Sequence, residues 1–220
     1  MTADGGKLPP MVIFKRETIP KEKFSKGIIV KANEKGWINQ EIMQIWFNEV
    51  WKKRKNVFFE PKSLLIYDSA NAHLTPKVKK LVNSYSHLAV IPGRLTKKLQ
   101  PLDISVNKSF KSKIRYQWEQ WMMNGYHSFT KSGNMKRASY SEICNWIMKS
   151  WEEISPNCIK NGFKKAMIEE YDDLQNSDSS DISNDEEVED ITDGIPNSFV
   201  QLLDSMTVES DEDEDFEGFE

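Results

Sequence analysis

SLLIYDSANAHLTP (residues 63–76) changes character twice within one short stretch. SLLIY (63–67) is a continuous apolar run, the pattern of a central strand covered on both faces. Asp68 closes that run. Thr75 and Pro76 then open a helix extending to about Ser84, with proline at the first helical position, where its missing N–H leaves no hydrogen bond unmade. LAVIP (88–92) follows as a second buried strand. Strand, carboxylate, helix and strand in that order predict an α/β unit with an acid at the mouth of a strand.

On the N-terminal side, MVIFK (11–15) and GIIVKA (27–32) are short β-branched and apolar runs bounded by Pro and Gly, hence strands. A turn around Pro20 to Lys26 makes them neighbours. From Ile38 to Lys53 the period becomes 3.6, with Ile42, Ile45, Trp46, Glu49 and Val50 near one stripe and Asn39 as N-cap. On the C-terminal side, Pro101 to Met123 predicts a long helix with the stripe Val106, Phe110, Ile114, Trp118 and Trp121. Asn124 to Ala138 is polar, contains glycine and reads as a loop. Ser139 and Glu142 form a capping-box pattern before Ile143, Trp146, Ile147, Trp151 and Ile154. Pro156 ends that helix, and Ile159 to Ile168 forms a last one. The expected fold is α/β, a mixed sheet flanked by helices over residues 1–123, with a helical extension over 124–170. The tryptophans sit at helical spacing among apolar residues, so core packing explains most of them.

Charge divides the chain. All 30 Lys and Arg lie in residues 1–171, whereas 19 of the 34 Asp and Glu lie in 172–220. The body therefore carries about +15 and the tail about −19, although the net charge is only −4. A basic body calls for a polyanionic partner, nucleic acid above all. The tail, from 171 onward, holds too little apolar surface to repay its ordering entropy and is expected to be disordered. Within it, Phe199, Leu202, Leu203 and Met206 fall at helical spacing in an acidic surround, as in a segment that folds onto a partner or in a plain linker. Ser183 and Ser210 precede acids in the manner of phosphorylation sites. Cys144 and Cys158 lack metal-ligand spacing and suit a reducing compartment. MTADGGKLPP has no apolar leader, and no stretch approaches the ~20 apolar residues of a membrane span. A soluble intracellular protein without a membrane partner is expected.

Asp68 and Asp103 are the residues with chemistry to offer. Two carboxylates can hold a hard divalent cation between them, the basis of metal-assisted phosphodiester chemistry. Read alone, each has a plainer role: an Asp after a strand caps a turn, and Asp103 after Pro101 is an acid favoured at a helix N-terminus. Asp103, Asn107 and Lys111 fall at i, i+4 and i+8, with Lys108 and Arg115 beside them, and Arg94, Lys97 and Lys98 extend the strip. Such cations meet a phosphate backbone in register, or simply keep a helix face soluble.

YDSANAHLT (67–75) followed by VIPGRLTKKLQPLDISVNKSFK (90–111) resembles the catalytic domain of the pogo and Tigger group of DDE transposases, a superfamily that includes jerky-like proteins and centromere protein B. The resemblance extends to TADGGKLPPMVIFK (2–15), KGIIVKANEKGW (26–37) and Trp146 to Ile168, and so covers the basic body but not the tail. It implies an RNase H-like fold with three metal-binding acids, of which Asp68 is the second and Asp103 the third. The first acid and its strand belong ahead of the TADG segment, as does a helix-turn-helix region, so the expected fold lacks the first strand. Asp4 matches a turn aspartate and Glu17 a solvated ion-pairing residue; neither replaces the first acid. His73 is implied to stand beside the acids rather than among them, and Asn107 likewise. The implied function is a nuclear, transposase-derived DNA-binding protein, catalytically incomplete, holding Mg²⁺ or Mn²⁺ weakly, with chromatin or transcription proteins as partners for the tail. The alternatives are an active endonuclease completed by a partner chain or upstream sequence, and a protein-interaction module.

Overall fold

The structure is a computed structural model that describes residues 1–54 and 62–172, with side chains described as far as residue 167. The acidic tail, with its Phe199, Leu202, Leu203 and Met206 segment and Ser183 and Ser210, lies outside the described residues. The chain is mixed α/β, and every strand and helix expected from its periodicity is present.

β1 (Met11–Lys15) and β2 (Ile29–Asn33) pair in parallel, from Met11 opposite Ile29 to Lys15 opposite Asn33. Parallel pairing needs a crossover rather than a tight turn, and the irregular segment 16–28 supplies it. α1 (Gln40–Glu49) is capped as expected, Asn39 Oδ1 accepting from the Ile42 amide at 2.8 Å, and a single 3₁₀ turn (Trp51–Lys53) follows. β3 (Leu64–Asp68), α2 (Pro76–Tyr85) and β4 (His87–Ile91) make a β-α-β unit whose strands are again parallel. Then come α3 (Thr96–Leu99), a π-helical segment (Leu102–Val106), α4 (Asn107–Asn124), α5 (Tyr140–Glu152) and α6 (Pro156–Asp172).

Three expectations need correction. Instead of one mixed sheet, the described strands form two separate two-stranded parallel sheets, because no described strand bridges β1–β2 to β3–β4. Neither β3 nor β4 is covered on both faces. Leu65 and Tyr67 are buried under α1 and α2, while Leu64 on the opposite face is half exposed. The stripe of α1 is also only partly as read. Ile42 and Val50 are buried as expected and Met43 and Phe47 are buried beside them, but Ile45 and Trp46 are half-buried and Glu49 pairs with Lys31 at 3.4 Å.

The main core joins Met43, Phe47 and Trp51 to Leu65, Tyr67, Val78 and Val82. A polar group in it is satisfied: the buried Trp51 Nε1 donates to the buried Ser86 Oγ at 2.7 Å, removing the penalty an orphaned indole N–H would carry. A second cluster, Val106, Ile154 and Ile159, draws in Met1, Phe110 and Trp151. Trp37 departs from the core reading of the tryptophans, being 76% exposed.

The chain's first residues hold its last helices. Asp4 closes the N-terminal turn, and hydrogen bonds from Thr2 (2.5 Å) and the Gly6 amide (2.9 Å) keep its carboxyl below the usual range. Gly5 has φ +92°, and a Cβ there would stand 2.9 Å from Pro156 Cβ, so this crossing of the turn over α6 requires glycine. Lys7 Nζ then donates to the carbonyls of Trp151 (3.0 Å), Glu152 (2.6 Å) and Ile154 (3.0 Å), and Trp151 Nε1 donates to the Leu8 carbonyl at 2.9 Å. A cation on the last carbonyls of α5 meets both their lone pairs and the negative end of the helix dipole. At the other end of α5, Glu22 in the crossover accepts from the Tyr140 (3.3 Å) and Ser141 (2.7 Å) amides beside the N-cap Ser139.

Lys7→Met keeps the aliphatic stem and removes the ammonium. It is expected to lower unfolding stability by about 1–2 kcal/mol, the scale of charge-assisted hydrogen bonds at a partly solvated helix end. Urea denaturation of both proteins measures this, and an unchanged midpoint would remove Lys7 from the account.

Cys144 is fully buried in α5, and burial, reinforced by the Glu22 carboxylate, pushes its thiol up to about 11. The folded state thus holds the proton more tightly than the unfolded chain, so this contribution to stability is complete below about pH 8 and is lost as pH rises toward the folded value. Iodoacetamide at pH 8 is expected to leave Cys144 unmodified until urea unfolds the protein; prompt alkylation in the native state would contradict the burial.

Candidate functional site

Asp68 stands at the C-terminal end of β3, where the strand's alternation puts it on the same side as Leu64 and Ile66, away from the helices. Its Oδ1 accepts from the Ala70 amide at 3.1 Å, so the turn-capping role of an Asp after a strand is real. The same Oδ1 also meets His73 Nδ1 at 2.7 Å. His73 is fixed in turn: its ring packs 5.0 Å from that of Tyr67, and its carbonyl accepts from the Tyr67 hydroxyl at 3.0 Å. The β3–α2 turn therefore holds one carboxylate oxygen, while Oδ2 has no hydrogen-bond partner among the described residues.

Asp103 reaches its place by a different route. The sequence predicts a regular helix from Pro101, but Leu102–Val106 is π-helical, the Asn107 amide bonding to the Leu102 carbonyl, and regular α-geometry begins only at Asn107. A helix starting at Pro101 would have Gln100 before it, a residue without the short side chain that caps a first turn. Asp103 is exposed, and its Oδ1 accepts from Asn107 Nδ2 at 2.5 Å. Packing against α6 supports the wide turn. Ser105 Oγ donates to the Cys158 carbonyl at 3.0 Å, and Gly162 brings the α6 backbone so near that a Cβ on it would lie 2.7 Å from the Pro101 carbonyl oxygen.

Asp68 is thus hydrogen-bonded to His73, and Asp103 to Asn107. Among the described residues no group of three or more His, Cys, Asp or Glu side chains is arranged to hold a metal ion. The donor chemistry still suits Mg²⁺ or Mn²⁺: hard carboxylate oxygens, accessible to the waters such ions retain. Gln100 Oε1, just before the π-helical segment, is buried without a partner, the kind of atom an ordered water satisfies.

Cations flank Asp103 along the chain. Arg94 is exposed in the turn after β4 at φ +70°, a left-handed conformation uncommon for a side-chain-bearing residue. Lys97 and Lys98 are exposed on α3, and Lys108 and Lys111 on α4. Arg115 differs from the strip's other members, since its Nε donates to Glu119 at 3.0 Å. Sequence reading missed Lys7, Glu22 and Gly162. The first two act across more than a hundred residues, and only the isolated glycine inside a helical pattern carried a local signal.

Gly162→Ala is expected to push α6 from the π-helical segment and cost about 1–3 kcal/mol, as overpacking does in a tight contact. Thermal unfolding measures it, and a variant as stable as the parent would show that the approach is not tight.

The sequence matches the family model described as DDE superfamily endonuclease over residues 1–163. It is 34% identical over 177 residues to the human protein named pogo transposable element with KRAB domain, covering 78% of this chain and 29% of that protein. The mouse protein of the same name is 34% identical over 167 residues, covering 76% of this chain and 28% of its own length. The human jerky protein homolog is 22% identical over 144 residues, 59% of this chain and 25% of that protein. The chain therefore spans less than a third of the length of the curated relatives it matches. No solved structure matches it.

Proposed function

The chain belongs to the DDE superfamily endonucleases, and from that premise we propose that it is a transposase-derived, DNA-binding protein whose DDE-type site is catalytically incomplete. The observation that carries this reading is the pairing of both predicted acids with side chains that fix one oxygen of each, Asp68 by His73 and Asp103 by Asn107. A carboxylate held by one oxygen keeps a defined direction for the other, as metal-ligating acids do.

In this proposal the fold is RNase H-like, with residues 1–123 as the catalytic-type part, 124–170 as its helical extension and 171–220 as an acidic tail. Asp68 and Asp103 would hold Mg²⁺ or Mn²⁺, and such an ion supplies charge stabilisation to a phosphodiester under attack. His73 and Asn107 orient the two acids. Arg94, Lys97, Lys98, Lys108 and Lys111 contact DNA phosphates and release counterions, giving affinity with little sequence preference. Arg115, engaged by Glu119, contributes less than its neighbours. Two carboxylates fix a cation less firmly than three, so the orientation that in-line displacement demands is not achieved by these residues alone. The protein acts in the nucleus on DNA, and the tail engages chromatin or transcription proteins. No helix among the described residues is long and apolar enough to cross a membrane.

The test titrates the 220-residue chain against a labelled duplex at two salt concentrations. Lys111→Ala is expected to weaken binding by a similar factor on unrelated sequences and to reduce the salt slope by about one unit. With Mg²⁺ or Mn²⁺ present the duplex is expected to stay intact. Salt-independent binding would refute the phosphate strip, and cleavage abolished by Asp68→Asn or Asp103→Asn would refute incompleteness.

A further inference from the structure

The expected loop, Asn124 to Ala138, is an exposed, hydrogen-bonded hairpin once α4 ends at Asn124. Phe129 and Met135 form an antiparallel bridge, the Lys136 amide donates to the Ser128 carbonyl at 2.7 Å, and the Thr130 amide donates to the Asn134 carbonyl at 2.7 Å. Gly133 turns the tip at φ +83°, with nothing within 4 Å of where its Cβ would be. The base is braced: His127 packs edge-on against Trp121 at 4.4 Å, and Trp121 packs against Trp146 at 5.7 Å. Above that base, all residues from 128 to 137 are exposed.

What the hairpin displays is unusual for a solvated segment. Tyr126 is 105% exposed and Phe129 60%, and Met123, in the last turn of α4 just before them, is 68% exposed. Aromatic rings held in water by an ordered hairpin mark an interaction surface rather than scattered surface apolarity. The charge is one-sided as well. Between Glu119 and Glu142 the chain has no Asp or Glu, while Lys131, Lys136 and Arg137 are all exposed on the hairpin. Cations interleaved with exposed aromatics are the composition of a surface on which bases stack while phosphates are neutralised. The layout agrees, because short apolar peptide motifs dock in grooves, whereas exposed rings at the base of a basic hairpin offer faces on which unpaired bases stack.

We infer that the hairpin over residues 126–137 is a second DNA-contacting element that engages unpaired bases, with Tyr126 and Phe129 as the stacking rings and Lys131, Lys136 and Arg137 as the phosphate contacts. This rests on the reading of DNA as the partner and adds to it a substrate class, duplex DNA with an unpaired extension or fork. Lys108 and Lys111 hold the duplex, and the hairpin holds the strand that leaves it.

The experiment compares the full chain, Tyr126→Ala/Phe129→Ala, Tyr126→Trp/Phe129→Trp and Lys108→Ala/Lys111→Ala. Two probes are used: a blunt duplex, and the same duplex carrying an unpaired extension that contains 2-aminopurine. The double alanine variant is expected to lose about tenfold or more in affinity for the extended duplex. It should bind the blunt duplex as the parent does, and the 2-aminopurine quenching should disappear; the double tryptophan variant should restore both. The double lysine variant should weaken both probes alike. Equal affinity of parent and double alanine variant for the extended duplex overturns the inference while leaving the phosphate strip intact. Absence of binding to either probe by the parent overturns both readings. Tighter DNA binding by the double alanine variant, matched by removal of residues 172–220, would assign the hairpin to the acidic segment and also overturn the inference.

Discussion

The architecture depends on a helix whose two ends are closed by side chains from the beginning of the chain. Glu22 sits on the first amides of α5 and Lys7 on its last carbonyls, so opposite charges meet opposite ends of one dipole. Neither contact is worth much alone. Together they fix where the N-terminal strands lie relative to α5 and α6, and α6 in turn supports the π-helical segment that carries Asp103. The position of a candidate metal-ligating acid thus rests on an ammonium group that touches no part of the site.

The two acids are held by different means. Asp68 belongs to a strand-to-helix turn, where local backbone geometry sets the carboxylate and His73 fixes its direction. Asp103 belongs to a widened helical turn kept open by tertiary packing against Gly162. The placement of Asp68 is therefore local and rigid, whereas that of Asp103 responds to the placement of α6. The capping role and the chemical role of Asp68 are compatible, since the turn amide and the histidine use the same oxygen.

Much of this was legible in the sequence where the signal is local. Asn39, Thr75 and Ser139 are N-caps as read, because a short polar side chain before an apolar period has few other uses. That His73 lies near Asp68 and Asn107 on the face of Asp103 followed from the family resemblance and from spacing; the hydrogen bonds between them did not. What was hidden is what depends on distant partners. The parallel pairing of β1 with β2 could not be told from a hairpin, since a run such as MVIFK carries no record of direction. The π-helical turn is set by α6, and the burial of one face of β3 by α1 and α2, neither of which leaves a mark in SLLIY or PLDIS. The 125–138 segment misled for another reason: its aromatics are spaced for display rather than burial, so no period revealed them.

The bracketing of α5 also orders events in time. Lys7 closes contacts 144 to 147 residues away, so during synthesis the N-terminal turn emerges long before its partner exists. Loops of that length close slowly, and contacts of such separation are made late on the folding path. The β-α-β unit of β3, α2 and β4, built from near neighbours, is the part able to form first. Until α5 is complete, the strand pair of residues 11–33 remains a marginal two-stranded ribbon. Folding of this chain therefore proceeds from its middle outward, and its first residues are among the last to find their places.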